Sequence, residues 1–177
     1  MTYLEVFRIV PGGVAGLFVG LAACTTAGAP PDGFGISNLR VGKVCGTYGG
    51  GDICEQTYDI VNDDHGICMY NHQVRNCTWF GYSFDHTPID HDITLDCQET
   101  SDQPRDLGNP EGVLARHTKS VNFQLVVPAG GSHFFNPQYS SGGDRGTRVQ
   151  TETESCSYHG KILFQFTRHF HAPAAGT

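Results

Sequence analysis

Lysine is scarce in this chain. Three occur in 177 residues, beside eight scattered arginines, and the net charge is −7. An acidic, lysine-poor surface repels phosphate backbones and anionic lipid headgroups, which argues against nucleic acid as a partner. The common catalytic signatures are missing as well. There is no G-x-S-x-G, H-E-x-x-H, G-x-x-x-x-G-K or EF-hand spacing, so no enzyme class is indicated by motif. No C-x2-C pair occurs, which removes zinc-ribbon chemistry. "GTYGGG" at 46–51 lies between two cysteines and reads as a turn rather than a nucleotide loop. Apolar runs of membrane-spanning length are absent too. The clearest, "VAGLFVGLAAC" at 14–24, has the length of a signal-peptide core and is short for a bilayer span. After residue 35 no helical periodicity of useful length appears.

What is present begins at that apolar run. Ile9 to Pro31 carries no charge. The run ends in Leu21-Ala22-Ala23-Cys24, and small residues at Ala22 and Ala23 suit an extended chain in a peptidase cleft. These four residues resemble the lipobox of bacterial lipoprotein precursors, which reads Leu, a small residue, Ala or Gly, then Cys. The resemblance implies cleavage before Cys24, acylation of its sulfur and then of its amine. Thr25, rather than Asp, implies the outer membrane. Several acyl chains anchor a protein stably where one does not. Residues 1–23 are then a signal peptide, 24–35 ("CTTAGAPPDGFG") a flexible tether, and 36–177 one domain. The alternative is a membrane subunit that keeps the N-terminal segment as a helical anchor.

Lipidation of Cys24 would account for an odd cysteine count. Of seven cysteines, six remain: Cys45, Cys54, Cys68, Cys77, Cys97 and Cys156. An even number behind an export signal reads as three disulfides in an oxidising compartment, with fifteen possible connectivities. "CGTYGGGDIC" and "CMYNHQVRNC" share a C-x8-C spacing. Cys45 and Cys54 are symmetric about Gly49-Gly50, a favoured two-residue turn. Cys68 and Cys77 are symmetric about His72-Gln73, a poorer one. Cys97 would then pair with Cys156.

The domain reads as all-β. In "SVNFQLVVP" the residues Val121, Phe123, Leu125 and Val127 share one face, and in "KILFQFTRHFH" Ile162, Phe164, Phe166 and Phe170 do so. With "TRVQTETESCSY", "NCTWFGYSF", "ITLDC", "ISNLRVGKV" and "EQTYDIV", about eight strands separated by Gly, Asn, Asp and Pro suit an antiparallel β-sandwich. Its architecture is expected to be immunoglobulin-like, without the immunoglobulin Cys–Trp spacing. Residues 99–112 read as a long polar loop. Residues 128–146 read as a glycine-rich loop carrying Phe134, Phe135 and Tyr139, a candidate partner-binding surface because large rings dominate interface energies.

Two histidine groups supply a second candidate. "FDHTPIDHD" holds Asp85, His86, Asp90, His91 and Asp92, and "RHFH" holds His169 and His171. Imidazole with carboxylate suits zinc or another divalent ion, and the two groups could meet in a sandwich. No other cofactor is indicated. The primary expectation is a lipid-anchored binding or structural accessory subunit of a bacterial envelope assembly, held to the membrane by lipid and contacting another envelope protein. The alternative is a periplasmic metal-binding protein or enzyme built on the His/Asp loop.

Overall fold

The structure, a computed structural model, describes residues 33–70, 72–109, 112–140 and 149–173. The lipobox, Cys24 and Gly142, Gly143 and Gly146 lie outside the described residues. The domain is a β-sandwich of two five-stranded sheets. One sheet contains β1 (Ile36–Val44), β2 (Ile53–Gln56), β4 (Gly66–Tyr70), β5 (Gln73–His86) and β8 (His133–Ser140). Its order is β2-β1-β5-β4, with β8 also paired to the long β5. The other sheet runs β3 (Asp59–Val61), β10 (Lys161–His171), β9 (Gln150–Tyr158), β6 (Ile93–Asn109) and β7 (Gly112–Val127). All pairings are antiparallel except β3 with β10.

Period-two alternation builds both inner faces. Phe80, Tyr82 and Phe84 point inward from β5, and Phe164, Phe166 and Phe170 meet them from β10. Tyr82 lies 5.3 Å from Phe164 and 5.2 Å from Phe166 between ring centroids. Ile93, Leu95 and Val127 complete the core from β6 and β7.

Two disulfides staple this frame. Cys97 and Cys156 face each other directly across β6 and β9, with Cα atoms 4.1 Å apart. Cys45 and Cys54 close the loop between β1 and β2, Cα atoms 5.7 Å apart. The third expected pair is corrected: Cys68 and Cys77 are buried free thiols. The β4–β5 hairpin closes between Tyr70 and Gln73, so Cys68 faces Arg75 while Cys77 faces Gly66. The symmetry assumed from C-x8-C is two residues off, and the cysteines become diagonal neighbours. Burial pushes both thiols up, Cys77 strongly.

Ten strands are described rather than about eight, and both expected loops are corrected. Residues 99–112 are mostly strand, because β6 and β7 continue as a hairpin beyond the region where β9 pairs with β6. Leu107 is buried there, and the Tyr70 hydroxyl donates to Asp106 Oδ2 at 2.8 Å, tying the hairpin to β4. Within 128–146, residues 133–140 form β8. Pro137 is tolerated because β8 pairs with β5 alone among the described strands, leaving one edge without a ladder.

Candidate functional site

The inner face of the second sheet carries charge. From β9 the inward residues are Glu152 and Glu154, from β6 Glu99, and from β10 Arg168, which occupies the slot between Phe166 and Phe170. Arg168 is 0% exposed. Its Nη2 lies 3.4 Å from Glu154 Oε2 and 3.6 Å from both Glu99 and Glu152. Its Nη1 donates to Gln138 Oε1 on β8, and Gln138 Nε2 donates to Glu154 Oε2 at 3.1 Å. Arg105 pairs with Glu152. The Arg168 guanidinium also lies over Phe80, Phe166 and Phe170, 4.8–5.7 Å from their centroids, within cation–π range.

This network links the two sheets through β8, β9 and β10. It holds one more carboxylate than guanidinium, in surroundings that disfavour an uncompensated charge. Burial raises the Glu154 and Glu99 carboxyls against the opposing pull of Arg168. Arg168, Glu99, Glu152 and Glu154 are buried, with Arg105 half-buried at the margin, and together they tie the register of β6, β9 and β10 to β8. Sequence reading missed this network, although a signal was present. Arg168 and Glu154 fall on the same alternation phase as Phe166 and Cys156.

The expected metal ligands are not brought together. His86 is buried, its Nδ1 bonded to the Thr87 carbonyl at 2.8 Å and its ring beside Phe34 and Phe84. Asp90 and His91 form an exposed contact of 2.6 Å. Asp92 accepts from the Ala129 amide and serves as a loop brace. His169 meets Thr151, and His171 meets Asp59 at 2.9 Å. Phe34, which touches His86, packs on Tyr158, the partner of Lys161 at the start of β10. His169 and His171 lie at the far end of that strand, roughly 25 Å away at 3.3 Å per residue. Among the described residues no group of three His, Cys, Asp or Glu side chains is arranged to hold a metal ion.

The three aromatics expected to contact a partner divide by strand parity. Phe134 points inward and stacks on Phe84 at 5.0 Å, which makes it a core residue. Phe135 and Tyr139 fall on the other parity, with Phe135 opposite Ser83 and Tyr139 opposite Trp79. Tyr139 meets Trp79 edge-on at 5.3 Å and donates its hydroxyl to the Met69 carbonyl at 2.7 Å. Trp79 donates its indole N–H to Ile67 O. Gly49 and Gly66 lie directly on the indole, where a Cβ at either would stand 2.4 Å from the ring. The disulfide loop and β4 are therefore both seated on Trp79.

Beyond Phe135 on the same face lies a polar groove of about 610 Å³, lined by Asn38, Leu39, Arg40, Gln56, Asp85 and His133. Hydrogen bonds from Asn38 and His133 hold the Asp85 carboxyl below the usual carboxylate range. His133 turns Nδ1 to Asp85 at 2.9 Å and Nε2 toward Asp52 at 3.7 Å. Both ring nitrogens thus face carboxylates, at Asp85 and Asp52, and the nearby Ser83 is wholly buried. No protein-family model matches the chain, and a search of curated proteins finds no relative.

Proposed function

We propose that this chain is a lipid-anchored binding subunit of a bacterial envelope assembly, carried to the outer membrane by acylation of Cys24. The observation that carries the reading is the pairing of Cys45 with Cys54 and Cys97 with Cys156, downstream of Leu21-Ala22-Ala23-Cys24. Structural disulfides persist in exported proteins and are rare in the cytosol. The lipobox cysteine takes part in neither. In this reading Cys24→Ser moves the protein from the membrane fraction to the soluble fraction. Retention of the variant in membranes with residues 1–23 attached would falsify the anchor.

The protein partner docks on the outer side of β8, around Phe135 and Tyr139. Aromatic rings beside a polar groove provide an anchor with a hydrogen-bonding rim. Phe135→Ala should lower stability by less than about 1 kcal/mol while weakening co-purification of the partner from native membranes. Phe134→Ala, which opens the core, should cost about 2–3 kcal/mol in thermal or denaturant unfolding. If both variants lose equal stability, or if Phe135→Ala keeps every partner, this surface is wrong.

A further inference from the structure

The outer face of the second sheet forms a regular array of hydrogen-bonding side chains. Strand register places Gln124, Asp96 and Ser157 in one row across β7, β6 and β9, and Asn122, Gln98 and Ser155 in the next. These two rows, with Cys97, Phe123 and Ile162 supplying apolar surface, line a shallow groove of about 460 Å³. A third row continues the pattern with Ser120, Thr100, Thr153 and Thr167, and Gln165 extends the second row onto β10. Asp96 is the one charged residue among them. Ile162, 59% exposed, borders the groove on β10.

The array is internally braced. Gln98 Nε2 donates to Asn122 Oδ1 at 3.1 Å, Gln124 Nε2 to Asp96 Oδ1 at 3.5 Å, and the Thr153 and Thr167 hydroxyls are 2.9 Å apart. Each bond fixes a rotamer and leaves further capacity, since an amide offers two donors and an acceptor and a hydroxyl both donates and accepts. Fixed side chains lose little entropy when a ligand arrives.

The chemistry of the face selects its occupant. With no Lys or Arg in the array and Asp96 in the groove, it repels phosphate and anionic lipid. The aromatic at the groove, Phe123, is half-buried and packs on the core, and the rows themselves hold no Trp, Tyr, Phe or Arg, so the face lacks the exposed anchors on which protein interfaces depend. A ligand that matches it carries many uncharged groups, each able to donate and accept, spread along an extended chain. We infer that the outer face of β7, β6, β9 and β10 is a binding site for a neutral polysaccharide, its hydroxyls seated on the amide and hydroxyl rows and its ring C–H groups against Ile162. Strands about 4.8 Å apart present one row position per step close to the length of a sugar ring. This site lies on the opposite sheet from the protein-docking strand and does not depend on lipid anchoring.

Affinity electrophoresis of the detergent-extracted full chain tests it. Native gels are cast with a soluble β-1,4-glucan, an α-1,4-glucan, an arabinogalactan or, as the anionic control, alginate. The wild type should be retarded by at least one neutral polymer and not by alginate. Gln98→Ala/Asn122→Ala, two exposed positions, should weaken retardation at least about tenfold in apparent affinity, while circular dichroism shows an unchanged β spectrum. Gln124→Lys serves as a second variant should the first unfold. Equal mobility of the wild type in every gel overturns the inference, as does retardation by alginate alone or retardation unchanged in the variants. Sedimentation showing a dimer that the variants abolish would assign the face to a second copy and also overturn it. The fractionation of Cys24→Ser reads membrane anchoring separately, so failure of one reading leaves the other standing.

Discussion

Arg168→Met should lower the melting temperature by roughly 10 °C or more at neutral pH, or prevent folding altogether. Arg168 is wholly buried and faces Glu99, Glu152 and Glu154. Methionine fills a similar volume but leaves three carboxylates in the interior, with Arg105 the remaining arginine paired to them among the described residues. Removing one partner of a buried ion pair costs about 3–5 kcal/mol, a large share of the 5–15 kcal/mol typical of whole domains. At this chain length each kcal/mol shifts the melting temperature by about 2–4 °C.

The pH dependence carries a sign. Burial raises the carboxyls of Glu99 and Glu154 above their unfolded values. Their favourable contribution is therefore fully present below the ordinary carboxylate range and is lost as pH rises through the raised folded values. Asp106 is lowered, first by the Tyr70 hydroxyl, and its contribution runs the other way, fading as pH falls. Arg168→Met should consequently recover part of its stability as pH falls, because the raised carboxyls of Glu99 and Glu154 are neutralised by protons before ordinary carboxylates are. If Arg168→Met melts within about 2 °C of the wild type at pH 7, the network is not a structural keystone.

Cys97→Ala/Cys156→Ala should be the next most damaging change. The bridge joins residues 59 apart in sequence, and in the chain-entropy account closing such a loop contributes about 4 kcal/mol. It also sits in the core, one inward position along β9 from Glu154, and so holds the register on which the ionic network depends. Loss of Cys45–Cys54, closing nine residues, should cost under about 3 kcal/mol. Urea unfolding of the two double variants ranks them. A midpoint change smaller for Cys97/Cys156 than for Cys45/Cys54 would contradict the assignment of the long bridge as the main staple.

Much of the sandwich is legible in the sequence, because hydrophobic alternation survives in β7 and over Phe164–Phe170 of β10; Ile162, expected on the same face, is corrected, since an irregularity between Ile162 and Phe164 turns it outward. The two stretches read as loops, within β6 and β8, have inward faces that are largely polar. Asn136, Gln138 and Ser140 on β8, and Glu99 and Ser101 on β6, carry the right period without hydrophobic residues, so a hydropathy pattern is silent where the core is ionic. Arg168 was legible by position but not by residue type. The Cys68–Cys77 pairing was drawn from spacing, and spacing does not fix where a hairpin turns. The split between Phe134 and Phe135 illustrates the same sensitivity, since adjacent residues of a strand face opposite sides and only the register decides which is core. Of the histidines, sequence proximity placed Asp90 beside His91, but it could not place β10 with its histidine end far from His86.

The most direct test of the central claim is the intact mass of the native protein extracted from membranes, measured after alkylation of free thiols without reduction. The account requires a chain beginning at acylated Cys24, bearing two disulfides and two alkylated thiols, at Cys68 and Cys77. A mass that retains residues 1–23 without acyl groups would contradict the anchor, and alkylation of all six of the other cysteines would contradict the disulfides and the exported compartment on which the proposed function stands.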